Sequence, residues 1–154
     1  MKQAHAGNSH YVHLLAMTVL SFLSMYILMY AMVDRFANVY NNLNQFYMAG
    51  LMTAPMVLIE MAVMGAMYTN KKLNRAIIAV ATVLGILFFA GIRQQAAIGD
   101  TQFLKSMIPH HASALLMCNE APLADAEIQQ LCKTILAGQQ AEIEQMKAIL
   151  ARLK

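Results

Sequence analysis

The sequence predicts an all-α protein in which three transmembrane helices precede an antiparallel helical hairpin. The 154 residues are 59% hydrophobic and 12% charged, whereas soluble domains carry roughly 25% charged residues. Three long apolar runs fill the first two thirds of the chain, and a mixed polar and apolar composition returns in the last third. Ala, Leu and Met dominate the runs, and the period-two alternation typical of strands is missing from the sequence.

The three apolar runs cover residues 11–33, 46–68 and 76–92. A helix needs about 20 apolar residues to cross a bilayer, with about 17 as the lower limit, so the third run is short. We expect the span to extend through Arg93, because a long basic side chain can reach from the hydrocarbon to the polar interface. The first run is too long for the core of a signal peptide, so we expect it to be retained. We therefore expect a membrane domain over residues 1–98 and a hairpin domain over residues 99–154.

The loop charges predict the orientation of the spans. Lys71, Lys72 and Arg75 lie between the second and third runs, and positively charged loops stay in the cytoplasm. We expect a multi-pass protein of the bacterial inner membrane, with a cytoplasmic N-terminus and a periplasmic hairpin. The net charge of +3 is spread along the chain, with six basic and three acidic residues up to residue 100 and five of each thereafter. This distribution predicts the lipid bilayer as a partner and no nucleic acid.

The chain contains 14 Met residues, many of which share helical faces within the first two runs. Thioethers prefer Cu(I), and an ionisable residue inside a membrane indicates function, so one interpretation is an ion path. The other is flexible core packing, with Glu60 near mid-membrane bonded to a neighbouring helix. The candidate path residues are Glu60, Met25, Met29, Met52, Met56 and Met64. His5, His10 and His13, at the N-terminal side, form a further short metal-binding candidate.

The last third predicts two helices joined by a short turn. The first runs from about Thr101 to Cys118 with a kink expected at Pro109, and the second runs from a cap at Asp125 to about Leu153. A short connection makes the two helices antiparallel neighbours.

An imidazole pair lies on the apolar face of the first hairpin helix. His110 and His111 share that face with Met107, and two adjacent His beside a thioether predict a metal site. Gln139 and Glu142 fall inside the apolar stripe of the second helix, where polar side chains need partners.

The two cysteines have two interpretations. With the turn centred near residues 121–122, Cys118 and Cys132 lie about 10 Å apart along the helix axis. A disulfide needs Cα atoms within about 7 Å, so we predict none within the hairpin and leave an intersubunit bond open. Cys132 lies level with His111 and is a soft-ligand candidate, as is the thiol of Cys118. The alternative is that both are small buried apolar residues.

Residues 103–117 (FLKSMIPHHASALLM), together with Ile135 and residues 139–146 (QQAEIEQM), resemble the signature of the domain of unknown function 305 family. That family is bacterial, helical and ferritin-like, and includes CopM-type periplasmic copper-binding proteins. The resemblance covers about residues 100–150. The metal-binding positions that it implies are His110, His111, Met107, Met117, Glu142 and Met146.

The resemblance also has implications for assembly and metal preference. Cys118 and Cys132 stand where the family usually has a small residue such as Ala, a departure that would favour a softer ion. Family members often hold two hairpins in one four-helix bundle. This chain holds one, so a homodimer or higher homo-oligomer is expected to complete the bundle.

Three functions follow as hypotheses. The first is membrane-anchored binding of copper, as Cu(I) or Cu(II), or of another soft metal such as silver, for metal homeostasis or resistance. The second is an oligomeric Cu(I) transporter or channel, and the third is an oligomerisation module without metal. An enzyme is not expected, because the sequence shows no nucleophile–base pair, phosphate loop or dinucleotide fingerprint. Met107 and Ile108 stand where a di-iron site would need Glu, three residues before each His.

Overall fold

The structure, a computed structural model, describes the backbone of residues 2–153 and the side chains of residues 9–153. Over this range the secondary structure is entirely helical, as predicted. The five α-helices are α1 (Lys2–Leu28), α2 (Leu43–Val63), α3 (Lys71–Gln94), α4 (Asp100–Glu120) and α5 (Ala126–Arg152). Three segments are long and apolar enough to cross a membrane: Ser9–Met32, Leu43–Val63 and Lys71–Gln94.

The chain divides into two compact units. The membrane unit comprises the chain up to Leu28 together with Phe46–Ala96, and the hairpin unit comprises Met29–Gln45 together with the chain from Ala97 onward. The sequence predicts one boundary near residue 98. The structure instead groups the connection between α1 and α2 with the hairpin.

Local contacts explain how the helices of the membrane unit begin and end. A Cβ at Gly65 would lie 2.6 Å from the carbonyl oxygen of Met61, so the chain turns there in a way that only glycine permits, and α2 has ended at Val63. Asn70 caps α3, because its side-chain oxygen accepts hydrogen bonds from the amides of Lys72 and Leu73. The spans are therefore shifted by a few residues from the predicted 46–68 and 76–92.

The core of the membrane unit joins all three of its helices. Its buried residues are Leu14, Val57, Met61, Tyr68 and Ala81. Tyr11 of α1 donates a hydrogen bond to Oδ1 of Asn74 of α3 at 2.6 Å. This bond ties the N-terminal half of α1 to the first turn of α3.

The hairpin unit is built on the packing of α4 against α5. The buried core residues are Leu104, Ile108, Ala112, Leu115, Ile143, Met146 and Leu150. Asp125 caps α5 as predicted, since its carboxylate accepts hydrogen bonds from the amides of Glu127 and Ile128. α4 continues through the buried Pro109 without a break in the helix.

The connection between α1 and α2 packs on the hairpin. It contains two short 3₁₀ helices, Met29–Met32 and Phe36–Asn38, and its Val33 and Tyr40 side chains rest on the α4–α5 core. Oε1 of Gln102 accepts a hydrogen bond from the Leu43 amide at 3.1 Å, and Asn44 donates to the Ser106 hydroxyl at 3.2 Å. These contacts attach the connection to α4 within the hairpin unit.

The prediction that the hairpin holds no internal disulfide is wrong. Cys118 and Cys132 are bonded, with their Cα atoms 5.4 Å apart. Ala121 at the end of α4 is extended, so the chain continues past that end before α5 begins. Cys132 lies about 9 Å into α5 and Cys118 about 3 Å from the end of α4. The first turns of α5 therefore overhang α4, and this overhang brings the two cysteines level.

Candidate metal centre

His111 is held between the two helices of the hairpin. The residue is 8% exposed, and its Nε2 lies 2.7 Å from Oε2 of Glu142 while its Nδ1 lies 2.9 Å from the Met107 carbonyl oxygen. A carbonyl oxygen only accepts, so Nδ1 donates this bond. Both ring nitrogens of His111 are therefore engaged in contacts within the hairpin.

The expectation that polar residues of the α5 stripe need partners is confirmed for one of two residues. Glu142 pairs with His111, although its side chain is 57% exposed. Oε1 of Gln139 is buried and has no hydrogen-bond partner. The α4–α5 interface thus contains one satisfied polar contact and one unsatisfied amide oxygen.

His110 faces a different environment from His111. The two rings lie 5.9 Å apart between centroids and are inclined by 63°, as expected for consecutive residues that an α-helix separates by about 100°. His110 is exposed and lines a cavity of about 330 Å³ within the hairpin unit. The imidazole pair is therefore divided between the interhelical contact and this cavity.

The cavity, which we call the thioether pocket, is lined by methionines and a histidine. Three methionines and one histidine contribute to it: Met29, Met32, Met107 and His110. The remaining lining is Val33, Asn42, Asn44, Gln45, Ser106, Pro109 and Ser113. Met29 and Met32 come from the connection after α1, and Met107 and His110 come from α4, so the packing of the connection on the hairpin brings these four residues to one cavity.

The other predicted metal ligands of the hairpin do not line the thioether pocket. Met146 is buried in the α4–α5 core, and Met117 is exposed and does not line the thioether pocket. The sulfur atoms of Cys118 and Cys132 are bonded to each other, so neither is a thiolate donor. Within residues 9–153, no three His, Cys, Asp or Glu side chains converge in a way that could hold a metal ion.

The candidates for an ion path within the membrane have different surroundings. Glu60 lies three residues before the end of α2, not near its middle as predicted, and accepts a hydrogen bond from Tyr68 at 3.0 Å. The Met25 sulfur lies 3.7 Å from the Thr53 hydroxyl oxygen. Met56 is half-buried, Met52 and Met64 are exposed, and Met29 belongs to the hairpin unit.

The polar groups at the start of α1 belong to the same end of the membrane unit as Glu60. Burial, together with the hydrogen bond to Glu60, raises the pKa of Tyr68 above its ordinary value. The ring of His10 packs edge-on against Tyr68 at 6.4 Å, and His13 is exposed. His5 lies outside the described side chains.

The sequence alone does not reveal that Met32, Asn42 and Ser106 belong with His110. Met29 and Met32 occur at the end of an apolar run, and this position favours their assignment to the membrane. The polar sequence from Asn38 to Gln45, which holds four Asn residues, is the one signal that the connection has a structure of its own.

Comparisons with known proteins extend the resemblance beyond the hairpin. A family model described as "Domain of unknown function (DUF305)" matches residues 58–150, so the match begins in α2 and includes α3. An uncharacterized protein of Acanthamoeba polyphaga mimivirus is 33% identical over 144 residues, which cover 92% of this chain and 93% of the viral protein. No solved structure matches the chain.

Proposed function

The chain belongs to the DUF305 family, and we propose that it is a membrane-anchored protein that binds a soft metal ion, copper as Cu(I), in the thioether pocket. The observation that carries this proposal is the convergence of three thioethers and one imidazole on a single cavity. Silver, which shares the ligand preferences of Cu(I), is the expected competitor. The role that fits such a site is metal homeostasis or resistance, as in CopM-type proteins.

The donor set favours Cu(I) over harder cations. Thioethers are soft ligands, and imidazole accepts either oxidation state of copper. Methionine side chains are flexible enough to close around an ion in a cavity of this size. Imidazole binds a metal in its neutral form, so we expect affinity to fall as the solution becomes acidic.

Two observations support a hairpin unit outside the cytoplasm, in the periplasm of a bacterium. The loop that holds Lys71, Lys72 and Arg75 is the basic one, and basic loops favour the cytoplasm. The basic loop precedes the third span and the Cys118–Cys132 disulfide follows it, so a protein that crosses the membrane three times has them on opposite sides. Disulfides persist in oxidising compartments. The three spans then serve as an anchor that keeps the pocket at the membrane.

A homodimer or higher homo-oligomer completes the proposal. Phe103, Ile128 and Leu131 are large apolar residues that the hairpin leaves about half exposed. A second hairpin packed against them would form the ferritin-like four-helix bundle that the family resemblance implies.

The experiment is a Cu(I) titration of the purified full chain against a chromogenic Cu(I) chelator. The wild type is expected to bind one Cu(I) per chain. His110→Ala and Met107→Leu are each expected to weaken Cu(I) binding by at least about tenfold. This is the lower end of the roughly 10–100-fold loss of affinity that follows removal of a group beside a metal. Met117→Leu is the matched control, since it removes a thioether from the same helix but from outside the pocket. Equal weakening by the control, or unchanged binding by His110→Ala, would contradict the proposal.

A Cu(I) channel is the alternative role for the membrane unit. It requires several copies whose exposed Met52 and Met64 side chains face one another. Vesicles that contain the protein and a trapped Cu(I) indicator distinguish the two roles. Flux that Glu60→Gln abolishes supports the channel, and the absence of flux leaves the spans as an anchor.

A further inference from the structure

A groove in the membrane unit carries an inference that is independent of metal binding. We propose that this groove binds an anionic phospholipid, with one acyl chain between the helices and the phosphate at the basic rim beside the start of α3.

The groove has a hydrocarbon surface. Gly50, Ala54 and Val57 of α2 form its floor, and α1 and α3 form its walls. The hydroxyls of Thr18 and Thr53 also line it, but each donates to a carbonyl oxygen of its own helix, at 2.8 Å in both cases. The Tyr11 hydroxyl is bonded to Asn74. The polar groups of the lining are therefore satisfied, and the surface suits an apolar ligand.

The length of the groove fits an acyl chain. Its volume is about 680 Å³, and it extends along α3 from Leu73 to Phe88, a length of about 22 Å. One leaflet contributes about 15 Å of hydrocarbon, so a complete acyl chain fits lengthwise. A chain that lies along α3 would therefore occupy the groove between Leu73 and Phe88.

Positive charge is concentrated at one end of this groove. Leu73 and Ala76 line this end, and the exposed Lys71, Lys72 and Arg75 lie in the same first turns of α3. Residues 61–99 contain no acidic residue, and Glu60, at the same end of the membrane unit, accepts a hydrogen bond from Tyr68. Basic residues at the end of a transmembrane helix attract anionic head groups. A zwitterionic lipid could fill the groove but would gain little from this rim, so charge complementarity selects an anionic lipid.

The test measures lipid retention on the detergent-solubilised full chain by native mass spectrometry. Phosphatidylglycerol and phosphatidylcholine with the same acyl chains are the two probes. The wild type is expected to retain phosphatidylglycerol about tenfold better. The triple substitution Lys71→Gln, Lys72→Gln and Arg75→Gln is expected to abolish this preference. Arg93→Gln, at the opposite end of α3, is the charge control and should leave the preference intact.

A second pair of variants tests the groove itself. Ala76→Phe fills the lined end and is expected to lower retention of both lipids by several-fold, whereas Ala79→Phe adds the same ring to an exposed position outside the lining. Equal retention of the two lipids by the wild type, an unchanged preference in the triple variant, or identical retention by the two Phe variants would each overturn the proposal. Circular dichroism reports separately that each variant has kept its helical structure.

Discussion

His110 and His111 are neighbours in the sequence but have different surroundings. The sequence places both near the centre of one apolar face, and that placement predicts a shared metal site. The structure directs one ring to Glu142 and the other to the thioether pocket. The choice depends on which residues of α5 and of the α1–α2 connection lie opposite each ring. Helical periodicity could therefore identify the pair as unusual, but it could not assign separate roles.

The first prediction concerns stability. His111→Ala is expected to lower the free energy of unfolding by about 2 kcal/mol, because it removes a buried ring and two hydrogen bonds. His110→Ala, at the exposed neighbouring position, should change it by less than about 0.5 kcal/mol. Thermal unfolding followed by circular dichroism checks both values. Equal losses in the two variants would show that His111 is not the structural member of the pair.

The second prediction concerns Asp34, in the connection after α1. Burial by itself raises the pKa of Asp34, but hydrogen bonds from Asn38 and Arg35 outweigh it and hold the pKa below the ordinary 3.8. A carboxyl whose pKa is lowered by folding adds stability above pH 3.8, and that stability is lost as the pH falls through the folded-state pKa.

Asp34→Asn is therefore expected to destabilise the protein at pH 7 by about 1 kcal/mol or less, because the Arg35 partner is largely solvent-exposed. The difference from the wild type should disappear at pH values below the folded-state pKa of Asp34. Melting temperatures recorded across this range check the prediction, and a difference that grows on acidification would contradict its sign.

At the scale of the helices, composition and hydrophobic runs were sufficient to predict five helices and the cap at Asp125. The ends of the helices were less predictable. α2 ends early because of the close approach of Gly65 to Met61, and α5 overhangs α4 because the turn between them continues outward. Both features depend on backbone conformation in short connections, which a hydrophobic pattern does not encode. The register error led directly to the wrong prediction about the cysteines.

The disulfide gives the third prediction. Cys118 and Cys132 are separated by 14 positions, and closing a loop of this size in the unfolded chain contributes about 3 kcal/mol in the chain-entropy model. Cys118→Ser with Cys132→Ser is therefore expected to lower the free energy of unfolding by about that amount. In unreduced wild-type protein, an alkylating reagent should label neither cysteine. Complete labelling before reduction would contradict the assigned bond.

At the scale of the whole molecule, the two units are made from alternating segments of the chain. The sequence favoured a simple succession of membrane domain and hairpin, because hydropathy reports each segment separately. The contacts that attach the α1–α2 connection to α4 join residues about 60 positions apart. Pairings at that distance leave no periodic signature, so the thioether pocket could not be predicted from a single sequence.

The fourth prediction tests the orientation of the spans. Single cysteines are introduced at exposed positions in a Cys118→Ser, Cys132→Ser background, as Asn41→Cys, Thr69→Cys and Ala148→Cys. A membrane-impermeant maleimide added to intact spheroplasts should label the first and third variants and not the second. Labelling of the second alone would indicate the reverse orientation. Labelling of Asn41→Cys without Ala148→Cys would contradict the packing of the connection on the hairpin.

The composite origin of the thioether pocket has a consequence for biosynthesis. Its donors come from residues 29–32 and 107–110, on either side of two membrane crossings. A nascent chain that has inserted α1 and α2 carries only half of the donors, and the other half follows once the third crossing is complete. Fragments released early from the ribosome would therefore lack part of the lining of the proposed Cu(I) site.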